Sequence, residues 1–195
     1  EFVREMVPGA IQAIRFARKL RERRMTDEYR TDPDKQAYYG LLPHSNSHEG
    51  YYPARHSYWD GFWLLRGIKD AIVLAERFGL DDDAVWLRRE EESVRRDFYA
   101  SMLRVIRDAG LEALPGCVEL ADFDPTSTTM GLMVADERDH LPQPYGTNTF
   151  FIYWDELVSR MQPGGAKLYT PYEVRNADAF VRLGWRERAL EALRF

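Results

Sequence analysis

Residues 58–83 read YWDGFWLLRGIKDAIVLAERFGLDDD, and this stretch decides the fold class. Trp59, Phe62, Trp63, Leu64, Leu65, Ile68, Ala71, Ile72, Val73, Leu74 and Ala75 go nearly all the way round a helix predicted over about 58–78. A helix that is apolar on every side is a buried one. Gly79 stops it, and Asp81-Asp82-Asp83 supply caps for a second helix reaching about 109. That second helix is amphipathic. Leu87, Val94, Phe98, Met102, Val105 and Ile106 share one face, while Arg88, Arg89, Glu91, Glu92, Arg95 and Arg96 face water. A buried helix joined tightly to a surface helix makes an αα-hairpin with an inner and an outer member.

The same alternation extends to both sides. Upstream, Pro8 reads as a first-turn residue of a helix over about 8–24. Its apolar face is Ile11, Ile14, Ala17 and Leu20, and Arg15, Arg18, Lys19 and Arg21 cover the rest. Residues 25–57 show no clear period and are rich in Tyr, His, Gly and Pro, so they read as one long functional loop. Downstream, Asp124-Pro125 opens a short helix to about 135, and Thr147 caps one to about 161. Thr170-Pro171 opens another to about 182, and a last amphipathic stretch covers 186–194. Cys117–Leu120 is the only short strand candidate. The expectation is an all-α single domain over 1–195 with about seven helices and no regular superhelical repeat.

Composition narrows the function. The 27 Lys and Arg against 32 Asp and Glu give a formal charge of −5, the wrong sign for a general nucleic-acid binder. No apolar run approaches the ~18 residues of a membrane span. Hydrophobic residues at 45% suffice for a core. The single cysteine, Cys117, excludes an internal disulfide framework and a multi-thiolate zinc site, and it reads as a buried bystander. Aromatic residues reach 13%, many beside carboxylates, Arg or His, which points to a polar ligand with flat apolar faces. The chain opens without Met inside structured sequence, so it reads as a segment of a longer protein, and its localisation stays open.

If inner and outer helices alternate, the inner ones begin near 58, 125 and 171 and present their N-termini at one end. Those starts carry Asp60, the pair Asp122 and Asp124, and Glu173. Acids and aromatics ringed in this way suit a polyhydroxylated ligand, whose C–H faces stack on rings and whose hydroxyls bond to charged groups. A structural role competes at each position. Ser57-x-x-Asp60 and Thr170-x-x-Glu173 both fit a capping box, and Asp124 before Pro125 is a good N-cap. The segment His44-Ser45-Asn46-Ser47-His48-Glu49-Gly50, with Arg55 and His56 beyond, reads as a ligand-contacting polar loop. It is not assigned a metal, because Tyr52 stands where the second His of HExxH would be. Asp122-Phe123-Asp124-Pro125-Thr126 matches the DxDxT string of haloacid-dehalogenase phosphotransferases, but no α/β sheet surrounds it. No phosphate loop or dinucleotide fingerprint appears, so no cofactor is assigned.

Gly40-Leu41-Leu42-Pro43, Ser47-His48-Glu49-Gly50 and His56-Ser57-Tyr58-Trp59-Asp60-x-Phe62-Trp63-x-x-Arg66-Gly67 together resemble the six-hairpin (α/α)6-toroid glycosidases. That superfamily includes glucoamylases, trehalases, glycogen-debranching enzymes and α-L-rhamnosidases. Asp124-Pro125-Thr126-Ser127-Thr128 and Tyr169-Thr170-Pro171-Tyr172-Glu173-x-Arg175 are similar to strings in further members, so the likeness runs over about 38–195.

The resemblance implies an (α/α)6-barrel-like domain that acts on carbohydrate at the N-terminal ends of its inner helices, usually with two carboxylates. It implies Asp60 as general acid and Glu173 as the base that activates water, their carboxyl groups ~6.5–9.5 Å apart for inversion. Trp59, Trp63 and Tyr51 would be sugar platforms, with Glu49, Arg55, His56 and Asp124 contacting hydroxyls. A full toroid has twelve helices, so the chain would be an incomplete αα-hairpin toroid segment. The rest of the parent chain, or another copy, would close the ring. A catalytically silent sugar-binding toroid, a helical protein-interaction scaffold and a polysaccharide lyase are the competing readings.

Overall fold

The Ser57 hydroxyl accepts a hydrogen bond from the Trp59 amide at 3.2 Å and so starts the central helix. Gly79, in the left-handed region at φ +70°, stops it, with Gly79 N donating to Glu76 O and Leu80 N to Ala75 O. Asp124 opens a later helix in the same way, accepting from the Ser127 amide at 3.0 Å ahead of Pro125. These punctuation marks sit where the sequence puts them.

The structure is a computed structural model that describes residues 1–47, 50–165 and 170–194. Its helices are α1 (Phe2–Glu22), α2 (Asp27–Thr31), α3 (Tyr58–Arg77), α4 (Asp81–Ala109), α5 (Pro125–Met133), α6 (Tyr145–Met161), α7 (Val174–Arg182) and α8 (Arg186–Ala192). Short 3-10 turns cover Gln36–Tyr38 and Pro171–Glu173. Among the described residues no strand forms. Ser45 with Arg55, Ser57 with Cys117 and Pro115 with Phe123 make isolated bridges only. The fold is all-α.

α3 and α4 pack as a hairpin, α1 lies on α3, α5 adds to α3, and α7 adds to α5. Phe62, Leu65 and Ile68 of α3 meet Leu87, Phe98 and Met102 of α4 in a core that continues through Leu132, Phe150, Leu157 and Phe180. Gly61 permits the closest approach, because a Cβ there would overlap the Phe98 ring. Gly61→Ala is therefore expected to cost about 1–3 kcal/mol by overpacking. The check is a lowered thermal midpoint, and an unchanged midpoint would mean that α3 and α4 have room to part.

Several expectations need correction. Pro8 lies inside α1, which starts at Phe2 rather than near 8. Residues 25–57 hold α2 and the first 3-10 turn, so they are not one loop, and α2 brings the helices to eight among the described residues. Leu80, not an aspartate, is the N-cap of α4, and Asp81–Asp83 sit in its first turn, where their charge complements the helix dipole. α6 starts at Tyr145, two residues before Thr147. α3 is not buried all round, since Val73 is exposed and Trp63 keeps 47% of its surface.

The largest departure is Arg21, assigned to the water face of α1 and found 1% exposed. Its guanidinium bonds Glu90, Asp97 Oδ2 at 2.9 Å and Gly40 O at 2.7 Å. Arg18 supports Glu90 from the rim at 2.9 Å. A second buried ion cluster centres on Glu137, which accepts from Arg95 at 2.8 and 2.9 Å, Lys69 at 2.6 Å and Tyr99 at 3.0 Å. Both carboxylate clusters are closed by charge-assisted bonds, as burial of charge requires.

Candidate functional site at the helix N-termini

Hydrogen bonds in the loops bring the starts of α3 and α5 together. Tyr58 N donates to Gly116 O, Val118 N to His56 O, and Gly116 N to Asp122 O, at 2.9–3.1 Å. The start of α7 joins them through Arg175, whose guanidinium carbon lies 5.0 Å from the centre of the Trp59 ring. These contacts link the starts of α3, α5 and α7.

Asp60 occupies the first turn of α3. Ser57 caps the helix, and the Asp60 oxygens accept instead from the Ser45 hydroxyl at 2.6 Å and the Ser47 hydroxyl at 2.9 Å. Ser47 N donates to Ser45 Oγ at 2.8 Å, which orients that hydroxyl. Trp59 and Trp63 stack along α3 with ring centres 6.2 Å apart, and the half-exposed Trp63, three positions after Asp60, shares its side of the helix. Asp60 is half-buried.

The other expected residues have distinct roles. Tyr51 is 8% exposed, and its hydroxyl donates to Asp122 Oδ2 at 2.9 Å, so its ring has no open face to serve as a platform. Burial beside Asp122 drives the Tyr51 phenol far above its ordinary value. Asp122 Oδ1 is buried with no partner among the described residues. Asp124 spends its oxygens as an N-cap, on the Ser127 amide, the Thr126 hydroxyl at 2.7 Å and the Ser127 hydroxyl, so it has little left for a ligand. Burial and the nearby Asp122 push the Cys117 thiol up to about 11, consistent with an unreactive side chain.

His56 Nδ1 sits 2.6 Å from Glu119 Oε1, and His56 N donates to Glu119 Oε2 at 2.9 Å. Glu119 thereby fixes the imidazole, whose Nε2 is buried and has no partner among the described residues. His56 also lines a cavity of about 20 Å³ with Arg21, Leu41 and Gly61. The Arg55 side chain is half-buried, and its backbone pairs with Ser45 at 2.9 Å in both directions. Glu49 lies outside the described residues.

Glu173 forms the full capping box with Thr170. It also accepts from Arg160 at 2.5 and 3.0 Å and from the Tyr153 hydroxyl at 2.8 Å. Burial works to raise its pKa, but the Arg160, Tyr153 and Thr170 bonds outweigh burial and hold it below the ordinary 4.5. A carboxylate ion-paired to Arg160 and of lowered basicity is poorly prepared to activate water, so its bonds are those of a structural residue. The stability it confers is full above pH 4.5 and lost as pH falls through its lower folded pKa. Glu173→Gln is expected to lose about 1–3 kcal/mol at pH 7, with the gap to the parent closing below about pH 4. Urea melts at both pH values check this, and a gap independent of pH would contradict it.

Sequence reasoning placed Ser45 and Ser47 only within a ligand-contacting loop and Arg175 only within a family-like string, and it gave Glu119 no role. Their only signal was proximity in the chain to aromatic and acidic strings. Among the described residues no helix is long and apolar enough to cross a membrane. Comparison with protein-family models, with curated proteins and with solved structures finds no match to this chain.

Proposed function

We propose that the chain carries the sugar site of a glycoside hydrolase, with Asp60 as proton donor at the N-terminal ends of α3, α5 and α7. The observation that carries this reading is the Asp60 carboxylate. It does not cap its own helix, it is held by two serine hydroxyls, and it stands half-buried in the first turn of α3, one turn before the half-exposed Trp63. In the acid step, the Asp60 carboxyl gives its proton to the glycosidic oxygen as the C–O bond breaks. The two hydroxyls and the positive end of α3 then stabilise the carboxylate left behind. Trp63, with Trp59 behind it, would stack on the sugar C–H face.

An (α/α)6 toroid accommodates this site, with α3, α5 and α7 as inner helices. The exposed apolar residues Phe2, Val3 and Met6 on α1 and Val181, Leu190 and Leu193 at the other end are what continuing hairpins would cover. Sugar binding without turnover is the second reading, and the commitment of Glu173 to Arg160 favours it. Hydrolysis of a panel of aryl glycosides and oligosaccharides by the full-length protein, paired with retention on immobilised sugars, separates the two. Turnover is expected. Retention without turnover would replace the hydrolase reading by the binding one, and neither result would remove both.

A further inference from the structure

We propose that Arg175 is an anion-recognition residue of this site and that the ligand is a saccharide carrying a carboxylate, such as a uronic acid. The inference rests on the carbohydrate reading above and names its substrate class.

Arg175 stands in the first turn of α7 with its guanidinium carbon 5.0 Å from the Trp59 ring centre and 4.8 Å from that of Tyr172. The guanidinium makes no hydrogen bond or ion pair to any described residue. Exposed arginines without partners are ordinary, but Arg175 is half-buried and clamped by two aromatic rings. The nearby carboxylates are already matched, Glu173 by Arg160 and Asp178 by Arg182 at 2.7 Å. Arg160 and Arg182 show what a structural arginine does in this region, and Arg175 does not do it.

Stacking holds a guanidinium by its faces and leaves its N–H donors at the edge. That edge is a planar fork, the shape that matches a carboxylate with two parallel hydrogen bonds. The clamp sits on Trp59, the residue before Asp60, so an acid group on the ligand would be anchored next to the proposed chemistry. A neutral sugar would leave the Arg175 donors to water alone.

The test is tryptophan-fluorescence titration of the full-length protein with methyl glucuronides and methyl galacturonides in both anomers, each beside its neutral methyl hexoside. The acid form is expected to bind about 10–100-fold more tightly than its neutral counterpart, the range of a charge-assisted hydrogen bond. The preference should shrink with added salt, vanish in Arg175→Gln and survive only in part in Arg175→Lys, which keeps the charge and loses the fork. In each variant neutral-sugar affinity should fall by less than acid-sugar affinity, because stacking and hydroxyl contacts do not need the fork. Far-UV circular dichroism monitors folding, and if the Gln variant unfolds, the Lys variant decides by a severalfold loss of preference. Equal affinity for acid and neutral sugars, or a preference that survives in Arg175→Gln, would overturn the proposal and leave the carbohydrate site standing. Absence of binding by both kinds of sugar would overturn both.

Discussion

Arg21→Met is expected to destabilise the protein by about 3–5 kcal/mol, the range for removing one partner of a buried ion pair. Methionine fills much of the same volume, so the loss comes from charge rather than from a cavity. Glu90 and Asp97 would remain with side chains only 4% exposed, and the Gly40 carbonyl would lose its donor. Burial works to lower the Arg21 pKa, yet the two carboxylates keep the guanidinium the natural counter-ion. Arg18 and Arg96 would still reach Glu90 and Asp97, at 2.9 and 3.0 Å, which places the loss within that range rather than above it. The consequence reaches the site. Arg21 ties α1 to α4 and to the 38–43 segment, and that segment lines the cavity next to His56. Denaturant melts of Arg21→Met and of Arg21→Met with Glu90→Gln and Asp97→Asn provide the check. The triple variant should recover more than about 1 kcal/mol, since the stranded charges are gone. A single variant that loses under about 1 kcal/mol would contradict the assignment.

Asp60→Asn is expected to lower turnover by about 10²–10⁴-fold, the contribution of a positioned general acid. Asparagine keeps the shape; its Oδ1 can accept from one serine hydroxyl and its Nδ2 can donate to the oxygen of the other, so the 45–47 loop should stay docked. Ser57, not Asp60, caps α3, and folding should therefore change little. The reading predicts a loss of activity with an unfolding midpoint within a few degrees of the parent. A variant that unfolds would instead make Asp60 an anchor for its loop.

The α3–α4 hairpin was legible because apolar periodicity is a local signal. The 58–109 stretch carries it over two long helices with a glycine between them. Asp124-Pro125 was legible for the same reason, since a cap and its first turn lie within four residues. Arg21 was not. Its partners lie 69 and 76 positions away, and only the packing of α1 on α3 and α4 shows that the arginine points inward.

The candidate site divides along the same line. Ser57-x-x-Asp60 and Thr170-x-x-Glu173 share one spacing, yet only the second forms a capping box. Glutamate has the extra methylene needed to reach back to the cap amide, and no distant hydroxyl competes for it. Aspartate is shorter, and two serines from the preceding loop claim it. Tyr51 failed as a platform for a related reason. Its burial depends on the 115–124 loop, where a Cβ on Gly116 would sit 2.6 Å from the Tyr51 hydroxyl. The sequence marked the aromatic and acidic residues of the site, and tertiary contacts sorted them into exposed and structural.

The central claim is that Asp60 donates a proton to a departing sugar oxygen. It is tested most directly by comparing the parent and Asp60→Asn on aryl glycosides that differ only in the leaving phenol. A dinitrophenolate departs without help, whereas an alkylphenolate needs its oxygen protonated. The account predicts that the variant nearly matches the parent on the dinitrophenyl substrate and falls behind by up to about 10⁴-fold as the phenol becomes more basic. A loss that is the same for every leaving group, or no loss at all, would contradict it.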